Sequence, residues 1–209
     1  MAYQKILDNV DDLVRFIDQF EYKHRPFLIG IDGRPCSGKS TLADQLTEAM
    51  NADSLFLDDF FIPQEHWPKG IKPGFPFPYF RYEEFIQNVR LLSEGQGIIY
   101  YPYDWAQKTL GKAKAIVPKN IVIIEGVSAL SLELVPLLNI RIFVVSNQKD
   151  ELLAISNREN KQSLILWQKL YLPSVNIYWQ TKPWERADIL YAGRGIANKH
   201  AIHVVLAHE

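Results

Sequence analysis

"GIDGRPCSGKS", Gly30 to Ser40, follows directly on the apolar run Phe27-Leu28-Ile29. A turn between two elements needs far less than three glycines, a proline, a lysine and two serines in eleven residues. Gly33–Ser40 matches G-x-x-x-x-G-K-[ST] at every fixed position. Glycines let a backbone turn with its N–H groups facing inward, making a nest for anionic oxygens. A helix that follows adds the positive end of its dipole. The stretch therefore predicts a phosphate cradle made by Gly33, Arg34, Pro35, Cys36, Ser37, Gly38, Lys39, Ser40 and Thr41. Lys39 would reach the terminal phosphates, and the Ser40 hydroxyl would join a Mg2+ ion that keeps most of its water. Cys36 reads as a tolerated small residue of the loop.

Outward from this loop, Phe27–Ile31 reads as a buried strand, and a helix should run from near Gly38 to about Met50. Upstream, Leu7, Val10, Leu13, Val14, Ile17 and Phe20 recur at helical spacing, which predicts an amphipathic helix over 5–20. Downstream, strands are expected at Ser54–Leu57, Ile98–Tyr101, Ile121–Ile124, Arg141–Val145, Ile189–Tyr191 and Ile202–Leu206. Helices are expected at Tyr82–Ser93, 148–158 and 161–180. A proline-rich loop fills 60–80, and its aromatic side chains offer either a cover for a flat substrate or a cluster of their own. Apolar strands alternating with helices imply an α/β fold with a mostly parallel sheet covered on both faces.

The 209 residues suit one domain over 1–209, with a small helical lid at about 158–182. Apolar residues make up 47% and charged residues 22%, an ordinary globular balance. A net charge of -1, with no basic run, speaks against nucleic acid or a membrane surface as partner. A single cysteine excludes an intrachain disulfide and fits a reducing compartment. The N-terminus carries no apolar signal core, so a cytoplasmic location is expected.

Three acids stand at strand ends, where open α/β sheets place their reactive groups. Asp58 and Asp59 close the second strand in "FLDDFF". Neighbouring strand residues face opposite ways, so the two acids should do different jobs. One would accept a proton from a substrate hydroxyl, the other would hold a metal-bound water. Glu125 ends the apolar strand Ile121–Ile124 and is expected to orient a Mg2+ water or fix the substrate. "SNQKD" (Ser146–Asp150) resembles a guanine-binding N-K-x-D, but Gln148 stands at the lysine position. Ser146 or Asn147 as N-cap, with Asp150 and Glu151 in a first helical turn, explains it better.

Taken in order, GRPCSGKST, LDDFF, YPYDW, IIEGV and PWERADIL resemble the uridine kinase-like branch of P-loop kinases, related also to phosphoribulokinase and pantothenate kinase. The set spans residues 27 to 191. The resemblance implies the three-layer P-loop NTPase fold. It assigns Asp58, in Asp58-Asp59-Phe60-Phe61, as the base facing the acceptor hydroxyl. It puts the sugar-gripping aspartate at Asp104 in Tyr103-Asp104-Trp105; by itself Asp104 reads equally as a turn residue after Pro102. The family's E-G pair falls on Glu125-Gly126. A lid arginine falls on Arg158, with Lys161 and Lys169 as weaker candidates, and Arg186 falls near the nucleotide base. Two departures stand out: no histidine follows Tyr103-Asp104-Trp105, and the lid exchanges arginines for Trp167, Tyr171, Tyr178 and Trp179.

The implied activity is transfer of the ATP γ-phosphate to a hydroxyl of a nucleoside-like or other small alcohol. Catalysis would rest on Asp58, Lys39 and Arg158, substrate binding on Asp58, Tyr103, Asp104 and Glu125, and the metal on Ser40, Asp59 and Glu125. ATP and Mg2+ are the implied cofactors, and a homo-oligomer is left open. The competing expectation is a regulatory P-loop ATPase without a small acceptor.

Overall fold

The computed structural model describes residues 5–20, 26–118 and 120–198. In chain order the elements are β1 (Lys5–Leu7), α1 (Val10–Ile17), β2 (Phe27–Gly33), α2 (Lys39–Met50), β3 (Asp53–Phe56), α3 (Tyr82–Ser93), β4 (Ile98–Tyr100), β5 (Tyr103–Asp104), β6 (Thr109–Leu110), β7 (Lys114–Ile116), β8 (Ile121–Glu125), β9 (Ile140–Val145), α4 (Gln148–Arg158), α5 (Lys161–Leu166), α6 (Leu172–Trp179) and β10 (Ile189–Ala192). The strand expected at Ile202–Leu206 lies outside the described residues.

Six strands form one parallel sheet in the order β1-β10-β9-β2-β8-β3. β2 sits between β8 and β9, so the glycine-rich loop leaves the sheet where the strand order changes direction, the usual place for a ligand in such folds. Every residue of β2 is buried. Ile29, Ile31, Ile123, Ile142 and Val144 face Leu13 and Ile17 of α1 and Leu42 and Leu46 of α2. Leu28, Val122 and Ile124 face the other way, onto Phe85, Val89 and Leu92 of α3. Phe143 and Val145 extend that second face under Trp179 and Trp184. Each such side chain, fully buried, contributes about 1.5–3 kcal/mol, so both layers are held chiefly by apolar burial.

The N-terminal expectation of one helix over 5–20 is corrected. Lys5–Leu7 is an edge strand, in register with Ile189–Tyr191. Asn9 breaks the pattern, because its side chain accepts the Asp12 N–H at 2.8 Å and starts α1. The helical period was misleading because Leu7 fits both elements: it is buried against the same face as Leu13 and Ile17. β4 does not join the main sheet; it pairs antiparallel with β7, and β5 pairs likewise with β6. The helix expected over 161–180 is nearly continuous but passes through a π-helical turn, Trp167–Tyr171. Pro173 follows within the first turn of α6 and has no N–H to offer the carbonyl four residues back. Asn147 caps α4 by accepting the Lys149 N–H at 3.0 Å, as read from "SNQKD". No helix among the described residues is long and apolar enough to cross a membrane.

Candidate active site

At the end of β2 the chain turns through Cys36 (φ 60°) and Gly38 (φ 102°) into α2. Gly38 occupies the cap position in a left-handed conformation, with no side-chain cap. The first helical bond is Leu42 N–H to Gly38 O, 3.0 Å, so the amides before Leu42 point out of the helix start without helical acceptors. Ser37 Oγ is buried and has no partner. Lys39 is 7% exposed; its Nζ lies 3.3 Å from Arg34 O and 3.5 Å from Glu125 Oε1. Ser40 and Thr41 are exposed on the first turn of α2.

The facing wall follows from the sheet. β8 lies beside β2 with Ile31 opposite Glu125, which brings Glu125 next to Lys39. Burial pushes the Glu125 carboxyl up to about 7; Lys39 opposes that shift and Asp58 adds to it. Asp58 belongs to a 3-10 turn, Leu57–Phe60, immediately after β3. A methyl group on Gly126 would lie 2.4 Å from Leu57 Cβ, so only glycine lets this turn close on β8. Asp58 is exposed at the surface, yet protein packs around its carboxylate closely enough to strip much of its hydration. That enclosure raises its pKa; Lys39 and Arg158 pull it down, and Asp59 pushes it up.

Asp59 faces elsewhere. Its Oδ2 accepts the Tyr100 hydroxyl at 2.8 Å and lies 3.5 Å from Lys114 Nζ. The two acids do diverge, but through a helical turn rather than strand alternation, since β3 ends at Phe56. The Asp59 carboxylate, expected on the metal, is thus engaged with β4 and β7. Arg158 is a second cation, after Lys39, whose charge reaches Asp58: it ends α4, bonds Glu159 at 2.9 Å and lies over the Trp167 ring. Tyr103 is 7% exposed and packs on Phe61 and Trp105. Asp104 Oδ1 accepts the N–H groups of Ala106 and Gln107, both at 2.9 Å, and so holds the turn that follows Tyr103.

Two arginines of the expected site have protein partners of their own. The Arg34 side chain turns away from the loop interior, donating to Glu151 at 2.9 Å and stacking on Trp179 at 4.8 Å. Its part in the cradle is therefore its main chain. Arg186 donates to Leu130 O at 2.8 Å and to Thr181 O and Oγ1 at 2.5 and 3.0 Å. A pocket of about 280 Å3 flanks the loop, with Ser37, Thr41, Gln45, Tyr191, Gly193 and Arg194 on its walls, and Arg186 is not among them. Arg194 went unread in the sequence. Its main-chain N–H bonds Ser37 O at 2.8 Å and its Nε bonds Cys36 O at 2.7 Å. The signal was available, since "AGRG" follows an apolar strand.

The aromatic loop at 60–80 packs on itself. Phe61, Phe77 and Tyr79 are buried, and Phe61 has ring neighbours in Trp67, Tyr79, Phe80, Tyr103, Trp105 and Tyr171. Main-chain bonds from Ile62 N to Tyr79 O and from Arg81 N to Phe60 O close its base.

Sheet order and the glycine-rich loop at the strand switch together define the three-layer α/β P-loop fold. A structure of a possible uridine kinase from Bacillus stearothermophilus superposes with a TM-score of 0.69 at 20% identity, over 87% of this chain and 96% of that one. Phosphoribulokinase from Rhodobacter spheroides gives 0.58 at 14% identity, over 86% and 73%. In sequence the chain is similar to uridine kinases and uridine kinase-like proteins. A Clostridium novyi uridine kinase is 35% identical over 128 residues, 57% of this chain and 62% of the relative. Mouse uridine-cytidine kinase-like 1 is 27% identical over 199 residues, 87% of this chain and 36% of the relative. A Clostridium perfringens uridine kinase is 25% identical over 196 residues, 88% and 94%. The chain thus spans less than two thirds of the length of the first curated relatives it matches. No family model matches it.

Proposed function

We propose that this chain is an ATP- and Mg2+-dependent phosphotransferase acting on a hydroxyl of a nucleoside-like or other small alcohol. The observation that carries the reading is the position of Asp58, a carboxylate open to the cleft and within electrostatic reach of both Lys39 and Arg158.

A triphosphate fits the loop, where the unpartnered Ser37 Oγ and the free amides at the start of α2 await an acceptor-rich ligand. A hard cation fits the oxygen donors of Ser40 and Glu125. Among the described residues no group of three or more His, Cys, Asp or Glu side chains is placed to hold a metal. Mg2+ would then take most of its ligands from phosphate and water, and there it would neutralise charge on the transferring group. Asp58 orients the acceptor hydroxyl and accepts its proton as the oxygen attacks the γ-phosphorus and ADP departs. Lys39 and Arg158 stabilise the charge spreading over the phosphoryl oxygens. The end of α4 with α5 acts as the closing lid. Tyr103 and Asp104 shape the acceptor side through the turn they hold.

Several relatives are named for uridine, so uridine and cytidine head the acceptor panel, followed by pantothenate-like alcohols and sugars. ADP release is measured with each acceptor in turn. Stimulation by one of them supports the reading. ATP consumption that no acceptor raises would return the chain to a regulatory ATPase.

A further inference from the structure

Asp32, the residue before the glycine-rich motif, is fully buried, and the proposed chemistry does not use it. Its carboxylate gathers four donors: the N–H groups of Gly33 at 2.6 Å, Ser128 at 3.1 Å and Leu130 at 2.9 Å, and the Tyr178 hydroxyl at 2.5 Å. Burial pushes this carboxyl up and the four donors pull it back down. One side chain therefore joins the entry of the phosphate loop, the turn after Glu125, and α6.

Two further contacts connect the same helix with the same loop. Arg34 Nη2 donates to Asn176 Oδ1 at 3.3 Å, and its guanidinium lies over Trp179. On its other side α6 meets the aromatic loop, where Gly74 N–H bonds Ser174 Oγ at 3.2 Å and the Tyr178 ring lies 4.7 Å from that of Phe75.

The phosphate loop needs such support. It holds Cys36, a residue with a Cβ, at φ 60°. Sparsely populated conformations of this kind persist only where the surroundings over-determine them. A cradle already shaped for its anion binds more tightly than one that must be ordered on binding.

We propose that Asp32 is a positioning residue that sets the phosphate loop against the Glu125 wall, and that Tyr178 is the donor through which α6 holds it there. The inference rests on the nucleotide-binding reading above. It places the effect of the Tyr178–Asp32 bond on nucleotide affinity rather than on the chemical step. A bound triphosphate supplies its own contacts to the loop, so saturation restores the geometry.

The test is calorimetric titration with adenylyl imidodiphosphate and Mg2+. Tyr178→Phe keeps the ring in place and deletes only the donor; circular dichroism confirms the fold. Its Kd should weaken about ten-fold, the usual scale for a hydrogen bond to a charged group. With an active acceptor, the KM for ATP should rise by a similar factor while kcat stays within about two-fold. Ser174→Ala, on the same helix but tied to the other loop, should keep the wild-type Kd. Asp32→Asn reads the bond from its other end, and combined with Tyr178→Phe it should weaken binding no further than it does alone. An unchanged Kd in Tyr178→Phe, equal weakening by Ser174→Ala, or additive losses in the double variant would overturn the inference while wild-type binding stands. Wild-type protein that ignores the analogue would overturn the nucleotide-binding reading, and this inference with it.

Discussion

Lys39 Nζ lies 3.5 Å from Glu125 Oε1, and both side chains are almost wholly buried. The pair joins the phosphate loop to the acid wall, and the burial of Glu125, which Lys39 only partly offsets, makes stability depend on pH. Glu125 is raised from 4.5 to about 7, chiefly by burial. A raised carboxyl holds its proton more firmly in the folded state than in the unfolded one. Its contribution is therefore complete below the unfolded value and is lost as pH climbs towards 7. Thermal midpoints should fall across that window for the wild type, and the Glu125→Gln profile should be flatter. Parallel profiles for the two proteins would contradict the assignment.

Lys39→Ala removes the cation facing both Asp58 and Glu125. Turnover at saturating ATP should fall by about three decades, the scale for losing a main electrostatic stabiliser. Steady-state ADP release with the best acceptor measures it.

Asp58→Asn should cost roughly two to four decades in kcat and leave the affinity for an ATP analogue nearly intact. Asp59→Asn should be milder, within about ten-fold, because that carboxylate answers to Tyr100 and Lys114 rather than to the cleft. A reversed order of the two variants would move the base to Asp59.

Gly126→Ala forces a methyl group against Leu57. Overpacking of this kind costs about 1–3 kcal/mol, readable in urea unfolding. Because Leu57 begins the turn that carries Asp58, kcat should drop as well, with the KM for ATP little changed.

Much of the scaffold was legible because its signals are local and strong. The unbroken apolar run of β2, the glycine-lysine-serine start of α2 and the caps of α4 each follow from a few neighbouring residues. The limits of α3 match the stripe of Phe85, Val89 and Leu92. What escaped depends on distant partners. β1 is a strand only because β10 lies alongside, and β4 leaves the main sheet only because β7 returns to it. At the site, the motif pointed to the loop and the end of an apolar strand pointed to Glu125, yet neither could show that Arg34 faces Glu151. Asp32 was invisible for the same reason: three of its four donors lie about a hundred residues or more downstream.

The aromatic knot built around Phe61 bears on how the acceptor of the proposed reaction could change. Phe61, Phe77 and Tyr79 hold one another, so replacing any of them disturbs a wall rather than retuning a contact. Trp105 and Tyr101 are more than half exposed, although one edge of Trp105 meets Phe61 and Tyr103. Under the proposed activity, selection for a new acceptor would find its room at these exposed rings, the doorway, while the masonry behind them stayed as it is.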